Sequence, residues 1–381
     1  MVRALAMKGV LDQVCDSILE ASIPEAYKAA SSAKAVDWTD HPSWARPPTT
    51  GGHSADPDAG WGHRNVNTPG TKEELFFGYY ASLVTMVAEE SGPAVPGLVR
   101  RVLLDSPGVD PVPAMAKALV AMAEAGVAAG DVLADSGYSY RLPEHWADPL
   151  RAGGYRLVVD LHPADRGPKG TYEGALVANG NLYCPATPAT LVGMAPLGRG
   201  ASPEEIDAFD RRCEEAGAYK LGPISSADSE GYYRLSCPAA AGKLRCPLKA
   251  ASMSLALSRP EVLAPPPEAP RCCTQASITV PPSVNAKTRQ KHDYPSAAHR
   301  RSFARRTAAE RSFSITKNTA GTDMRRGWCR MVGRAKNLLV YAAAAVVANL
   351  RCLSRFGERQ AQESAPSPRR SRRRRSGSPG A

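Results

Sequence analysis

Apolar positions fall in two regimes along the chain. Between residues 33 and 162 they come in short runs bounded by Gly, Pro, Asp or Ser, the pattern of buried strands. "AKAVDWTD" (Ala33–Asp40), "LFFGYYASLVTMV" (Leu75–Val87), "GLVRRVLLD" (Gly97–Asp105), "DVLADSGY" up to Asp135 and "YRLVVDLH" (Tyr155–His162) each predict a strand. Gly78 inside the second run is expected at a bulge. "PVPAMAKALVAMAEAGV" (Pro111–Val127) has the Ala content and spacing of a helix, with Gly126 near its end. His41–Gly70, rich in Pro, Gly, His and Asp, predicts a loop. Strands interleaved with helices in this order predict an α/β fold around a central mixed sheet.

Residues 163–290 read differently. They predict a loop-rich insertion with three Cys-Pro pairs, at Cys184, Cys237 and Cys246, and the pair Cys272-Cys273. "RPEVLAPPPEAPRCC" is too rich in proline for regular structure. Helical patterning returns at Ser296. Leu338–Ala348 ("LLVYAAAAVVA") predicts a buried helix, too short an apolar run to span a membrane. Beyond about Glu358 the Ser/Pro/Arg composition predicts disorder. These shifts divide the chain into an N-terminal helical segment (1–32), a first core part (33–162), the insertion (163–290), a second core part (291–356) and a basic tail (357–381).

Charge sharpens this division. Residues 281–381 carry 23 Lys and Arg against 5 Asp and Glu, whereas residues 1–280 carry 25 against 32. A basic quarter on an acidic body predicts a polyanionic partner on one side. Arg369–Arg375 ("RRSRRRR") fits a solvated tail or non-specific nucleic-acid docking. No secretory signal is visible at "MVRALAMKGVLDQV". With nine cysteines, an odd number, this predicts a reducing, cytoplasmic setting.

The candidate chemistry begins at "SFARRTAAERSFSITK" (Ser302–Lys317), a basic helix with one acid in its middle. At about 100° per residue, with Arg306 at the origin, Glu310 falls near about 40°, Lys317 near about 20° and Phe303 near about 60°. All four share one face, and Arg306 and Glu310 are i,i+4 neighbours. An ordinary helix salt bridge would account for that pair. Asp37 and Asp135, at the ends of two predicted strands, sit where α/β sheets place ligand sites. Three converging carboxylates repel unless cations lie between them. Their oxygens suit Mg²⁺ or Mn²⁺, and two such ions roughly 3.5–4 Å apart can drive phosphodiester cleavage. Arg306 and Lys317 would then grip the phosphate.

The spacing Phe303-x2-Arg306-x3-Glu310-x6-Lys317 resembles the Tyr-x2-Arg-x3-Glu-x6-Lys helix signature of one branch of the DDE transposases of bacterial insertion sequences. "AVDWTD" at Asp37 resembles that branch's first-strand acid, "LADSGYSYR" at Asp135 its second-acid motif, and Gly327–Arg351 the closing helix of actinobacterial members. The resemblance covers most of residues 30–355. It implies an RNase H-like catalytic core, DNA strand cleavage and transfer with two Mg²⁺ or Mn²⁺ ions on Asp37, Asp135 and Glu310, and phosphate binding by Phe303, Arg306 and Lys317. It also implies DNA as partner, a homo-oligomer on DNA, no membrane, and a cytoplasmic, nucleoid-associated location. Phe303 stands where the branch has Tyr, so that position's hydroxyl is lost. Only 36 residues precede Asp37, where the branch carries a DNA-binding segment, so the resemblance implies a shortened N-terminus. A DNA-binding remnant without catalysis and a metal-dependent nuclease on the same fold are the alternatives.

Other acids and histidines compete for these roles. Asp40 suits a turn or cap, and Asp160 in "LVVDLH" rivals Asp135 as second acid. His162 and His292 are candidate bases, although a metal-held water needs none. Cys184, Cys237, Cys246, Cys272 and Cys273 could hold a structural zinc, but no CxxC pair is present in the insertion, and buried thiols are the plain alternative.

Overall fold

The computed structural model describes residues 10–64, 72, 74–198, 200–318 and 322–364. Residues 365–381, including Arg369–Arg375, lie outside the described residues.

The central sheet has six strands: β1 (Lys34–Pro42), β2 (Gly60–Arg64), β3 (Glu74–Met86), β4 (Leu98–Asp105), β5 (Asp131–Ala134) and β6 (Arg156–Val159). β1 pairs antiparallel with β3 along its whole length, and parallel with β5, which pairs parallel with β6. On its other edge β3 pairs antiparallel with β2 over its first half and with β4 over its second. The sheet is therefore mixed, and the fold is α/β.

Alternation along the strands sends neighbouring side chains to opposite faces. Val36, Val84, Val132 and Ala134 pack with Val112, Met115 and Leu119 of α2, after α1 (Leu11–Ala21); α2 spans Pro111–Glu124. Leu83, Val99 and Val102 pack on the other face with Leu11, Cys15 and Leu19 of α1 and with the long closing helix. Asp110 caps α2, its Oδ1 accepting from the Val112 N–H at 3.0 Å.

Residues 163–290 hold more regular structure than their composition predicts. They contain β7 (Pro168–Tyr172), β8 (Ala175–Ala178) and β9 (Asn181–Tyr183) in one three-stranded sheet. A second is built from β10 (Gly222–Pro223), β11 (Tyr233–Ser236) and β12 (Ile278–Val280). Between them lies α3 (Pro203–Tyr219), opened by a full capping box of Ser202 and Glu205. Even "RPEVLAPPPEAPRCC" carries a short helix at Arg271–Thr274 and a bridge from Arg245 to Glu261. The chain leaves this unit beside the strand from which it entered. The Lys291 N–H donates to Leu157 O at 2.9 Å, the Val159 N–H to Gln290 Oε1 at 2.8 Å, and His299 Nε2 meets Val159 O at 2.9 Å.

The basic stretch is not one helix. It comprises α4 (Ala297–Phe303), a 3₁₀ turn (Ala304–Arg306) and α5 (Thr307–Asn318). The closing helix α6 runs over Arg334–Ser364, past the expected disorder boundary at Glu358. By length and composition α6 could cross a membrane. Here Leu338, Tyr341, Ala342 and Ala345 pack against β4 and α1. Asn349, fully buried, accepts from the Val99 N–H at 2.7 Å and donates to Val99 O at 2.9 Å, closing the free edge of β4.

Several boundaries differ from expectation. β1 runs on to Pro42, so Asp37 lies within the strand and not at its end. The segment expected as loop holds β2. β6 is shorter than Tyr155–His162. The bulge falls between Val84 and Thr85, and Gly78 has a different reason: a Cβ there would stand 2.2 Å from His41 O.

Candidate active site

Strand parity decides where the acids point. Ala33, Ala35 and Leu133 pack with Ala309 of α5, while Val36, Val132 and Ala134 face α2. Asp37, Asp131 and Asp135 share the parity of the first set and so face α5. β1 and β5 pair Lys34 with Val132 and Ala35 with Leu133. Carried on two residues, that register sets Asp37 opposite Asp135.

Asp135 ends β5 and caps the short helix Ser136–Ser139, its Oδ1 accepting from the Gly137 N–H at 2.9 Å. Gly137 is required by close approach, since a Cβ there would lie 2.6 Å from the Trp38 ring. Trp38, next to Asp37, meets the buried Tyr138, three residues past Asp135, edge-on with centroids 4.6 Å apart.

The 3₁₀ turn ahead of α5 delivers Arg306 between Asp37 and Glu310. Its Nη1 donates to Asp37 Oδ2 at 3.1 Å and its Nη2 to Glu310 Oε1 at 2.7 Å. One planar fork thus bridges the two carboxylates, holding those oxygens at most roughly 8 Å apart. The guanidinium lies 5.7 Å from the centroid of the Phe303 ring, which in turn stacks on His299. Lys317 sits one step further along β1, with Nζ donating to Thr39 Oγ1 and Asp40 O, both at 2.9 Å.

The electrostatics follow from burial. Burial pushes the Asp37 carboxyl up to about 6, against the pull of Arg306 and with help from the Asp135 charge. Burial likewise raises Asp135, opposed by Arg306 and by the N–H groups of Gly137 and Tyr138. Burial lowers Lys317, with Asp40 working against it. Burial, more than mutual repulsion, disfavours charge on both Asp37 and Asp135, and Arg306 only partly offsets it.

Asp160 follows β6, and the pairing of Ala134 with Val159 sets it beside Asp135. Its carboxylate is engaged elsewhere, accepting from Tyr294 at 3.0 Å and Arg166 at 3.3 Å. Asp40 pairs with Arg64 at 2.6 Å. His162 caps a turn, its Nδ1 accepting from Ala164, and His292 meets Glu90 at 2.5 Å. The arrangement joins Asp37 to Glu310 through Arg306, sets Asp135 within electrostatic reach of Asp37 and Arg306, packs Phe303 by Arg306 with Lys317 adjoining, and gives both histidines other partners. Among the described residues no group of three His, Cys, Asp or Glu side chains already stands where it could hold a metal ion.

One functional element escaped the sequence reading. Asp131, fully buried at the start of β5, accepts from Arg305, Lys291 and Arg156, each at 2.8 Å. Burial works to raise its carboxyl, but these three cations outweigh it and hold the group down at about 2. Arg305 thereby pins the turn that carries Arg306. The available signal was an acid opening an apolar strand, which demands buried cationic partners.

No protein-family model matches the chain, and neither a curated protein nor a solved structure does.

Proposed function

We propose that this chain is a DDE-type transposase, whose RNase H-like core cleaves DNA and transfers the freed 3′ end to a target. The reading rests on one observation: Arg306 bridges Asp37 of β1 to Glu310, and Asp135, just past the adjoining parallel strand β5, lies within electrostatic reach of Asp37 and Arg306. A mixed sheet that presents both aspartates to the helix bearing Glu310 supports the finer fold assignment.

The donor set fits hard cations, being all carboxylate oxygen, and a bound cation would favour the charged forms of Asp37 and Asp135 that burial disfavours. Asp37, Asp135 and Glu310 would hold Mg²⁺ or Mn²⁺, which supplies an activated attacking oxygen and neutralises charge at the scissile phosphate. The chain's own groups do the rest. Arg306 offers a planar fork to phosphate oxygens, oriented by the Phe303 ring beneath it, and Lys317 adds a point charge along β1. DNA is the partner in this reading, the working form is a homo-oligomer that brings two ends together, and the setting is the nucleoid.

The test is Mn²⁺-dependent nicking and end joining on supercoiled and short duplex DNA. Nicking by the wild-type chain that is lost in Glu310→Gln and Asp37→Asn, with DNA binding retained, is the expected result. Nicking that survives in Glu310→Gln sinks the assignment, and nicking without any joined product favours a nuclease. A second reading, DNA binding without catalysis, is favoured by the engagement of Glu310 on Arg306; it predicts binding but no nick.

A further inference from the structure

The thiols of residues 163–290 gather at one place. Cys184, Cys237 and Cys246 share one hydrophobic cluster, and Cys272 and Cys273 belong to the adjoining one. All five are buried and all are free thiols. Strand register explains the first two. Cys184 N–H donates to Tyr219 O, and the pairing of Gly222 with Ser236 sets Cys237 opposite Leu221. Tyr219 and Leu221 are two apart, so the two sulfurs share a face. Cys184 lies within electrostatic reach of Cys237, Cys246 and Cys273, and Cys246 within reach of Cys237 and Cys273. Cys272 and Cys273 sulfurs are 3.9 Å apart.

Burial raises Cys184 to about 12 and Cys246 above its ordinary value, so without a cation both are neutral thiols, although backbone N–H groups oppose the rise. Ala186 N–H points at the Cys184 sulfur, and the N–H groups of Leu248 and Lys249 point at Cys246. Both belong to Cys-Pro-x-x turns, closed by Thr187 N–H on Cys184 O and Lys249 N–H on Cys246 O. Donated N–H groups favour the charged sulfur. Lys249 adds a positive charge near Cys273, whose sulfur contacts that of Cys272.

We propose that Cys184, Cys237, Cys246 and Cys273 form a structural tetrathiolate zinc site. Their sulfurs are gathered but not closed on one centre, because neutral thiols do not draw one another to bonding distance; a shared cation does. Binding replaces the four thiol protons with four Zn–S bonds and involves no oxidation. The site joins four separated chain segments of a unit whose two sheets have strands of two to five residues. Zinc is preferred over oxygen-loving cations by sulfur donors. The proposal is independent of the transposase reading.

The test uses the full chain. Metal content by mass spectrometry is expected at one zinc per chain. Added Co²⁺ should give the intense visible bands of a tetrahedral tetrathiolate. Cys184→Ser, Cys246→Ser and Cys273→Ser should each weaken zinc binding at least a hundredfold, while Cys272→Ser and Cys213→Ser keep it. Co²⁺ titration of the wild-type chain reads the site without any variant, so a misfolded variant does not decide the matter. Absence of zinc together with no tetrathiolate cobalt spectrum overturns the proposal, as does iron in its place or equal loss in Cys213→Ser.

Discussion

Arg306 is bonded to Asp37 at 3.1 Å across 269 residues of chain, and this contact fastens the helix carrying Glu310 to the strand carrying the first acid. Breaking it leaves the largely buried Asp37 carboxylate without its cation. Arg306→Met is expected to destabilise the chain by on the order of 3 kcal/mol at pH 7. Urea unfolding at pH 7 and pH 5 checks this. The loss should shrink at pH 5, where Asp37, held at about 6, takes up its proton.

Asp37 itself should work against stability at neutral pH. Its folded carboxyl sits at about 6, above the ordinary 3.8, so the folded chain holds its proton more tightly. Its contribution therefore favours folding below about pH 4 and is lost as pH rises through 6. Asp37→Asn is expected to flatten the fall in stability between pH 4 and 6 and to raise stability at pH 7 by about 2 kcal/mol. Urea midpoints across that range measure it; an unchanged slope refutes the assignment.

Asp131 has the opposite sign. Its folded carboxyl lies at about 2, so its stabilisation is present above about pH 4 and is lost as pH falls through 2. Asp131→Asn strips a buried hub of three cations and should cost about 3–5 kcal/mol at pH 7. Asp148→Asn, which breaks an exposed pair with Arg151, is the comparison and should cost less than about 0.5 kcal/mol. Thermal melts of the two variants decide it.

Gly137→Ala tests the packing beneath the acids. The added Cβ would meet the Trp38 ring at 2.6 Å and Asp135 Oδ1 at 3.1 Å. A loss of about 1–3 kcal/mol is expected, with Trp38 fluorescence altered. An unperturbed melt would mean that Trp38 gives way freely.

The core strands were legible because each is an apolar run cut by turn residues, and Asp135 announced itself as an acid ending one of them. β2 was not, because "GWGHR" is short, has glycine at two of its five positions, ends on a charge, and pairs on one edge of β3. Helical spacing correctly paired Arg306 with Glu310, because i,i+4 geometry survives the 3₁₀ turn just before it. The break itself follows from tertiary anchoring of Arg305 on Asp131, a contact between distant segments that no local pattern encodes. The small sheets of residues 163–290 escaped for a related reason: strands as short as Asn181–Tyr183 are too brief to show alternation.

The excursion of residues 163–290 departs just past β6 and returns at Lys291, hydrogen-bonded to that same strand. Its ends are thus held side by side whatever the intervening chain does, and enlarging or shrinking it adds little closure cost to the sheet. It has its own hydrophobic clusters. The unit is in effect a cassette: its length can change while Asp37, Asp135 and Arg306 keep their mutual geometry.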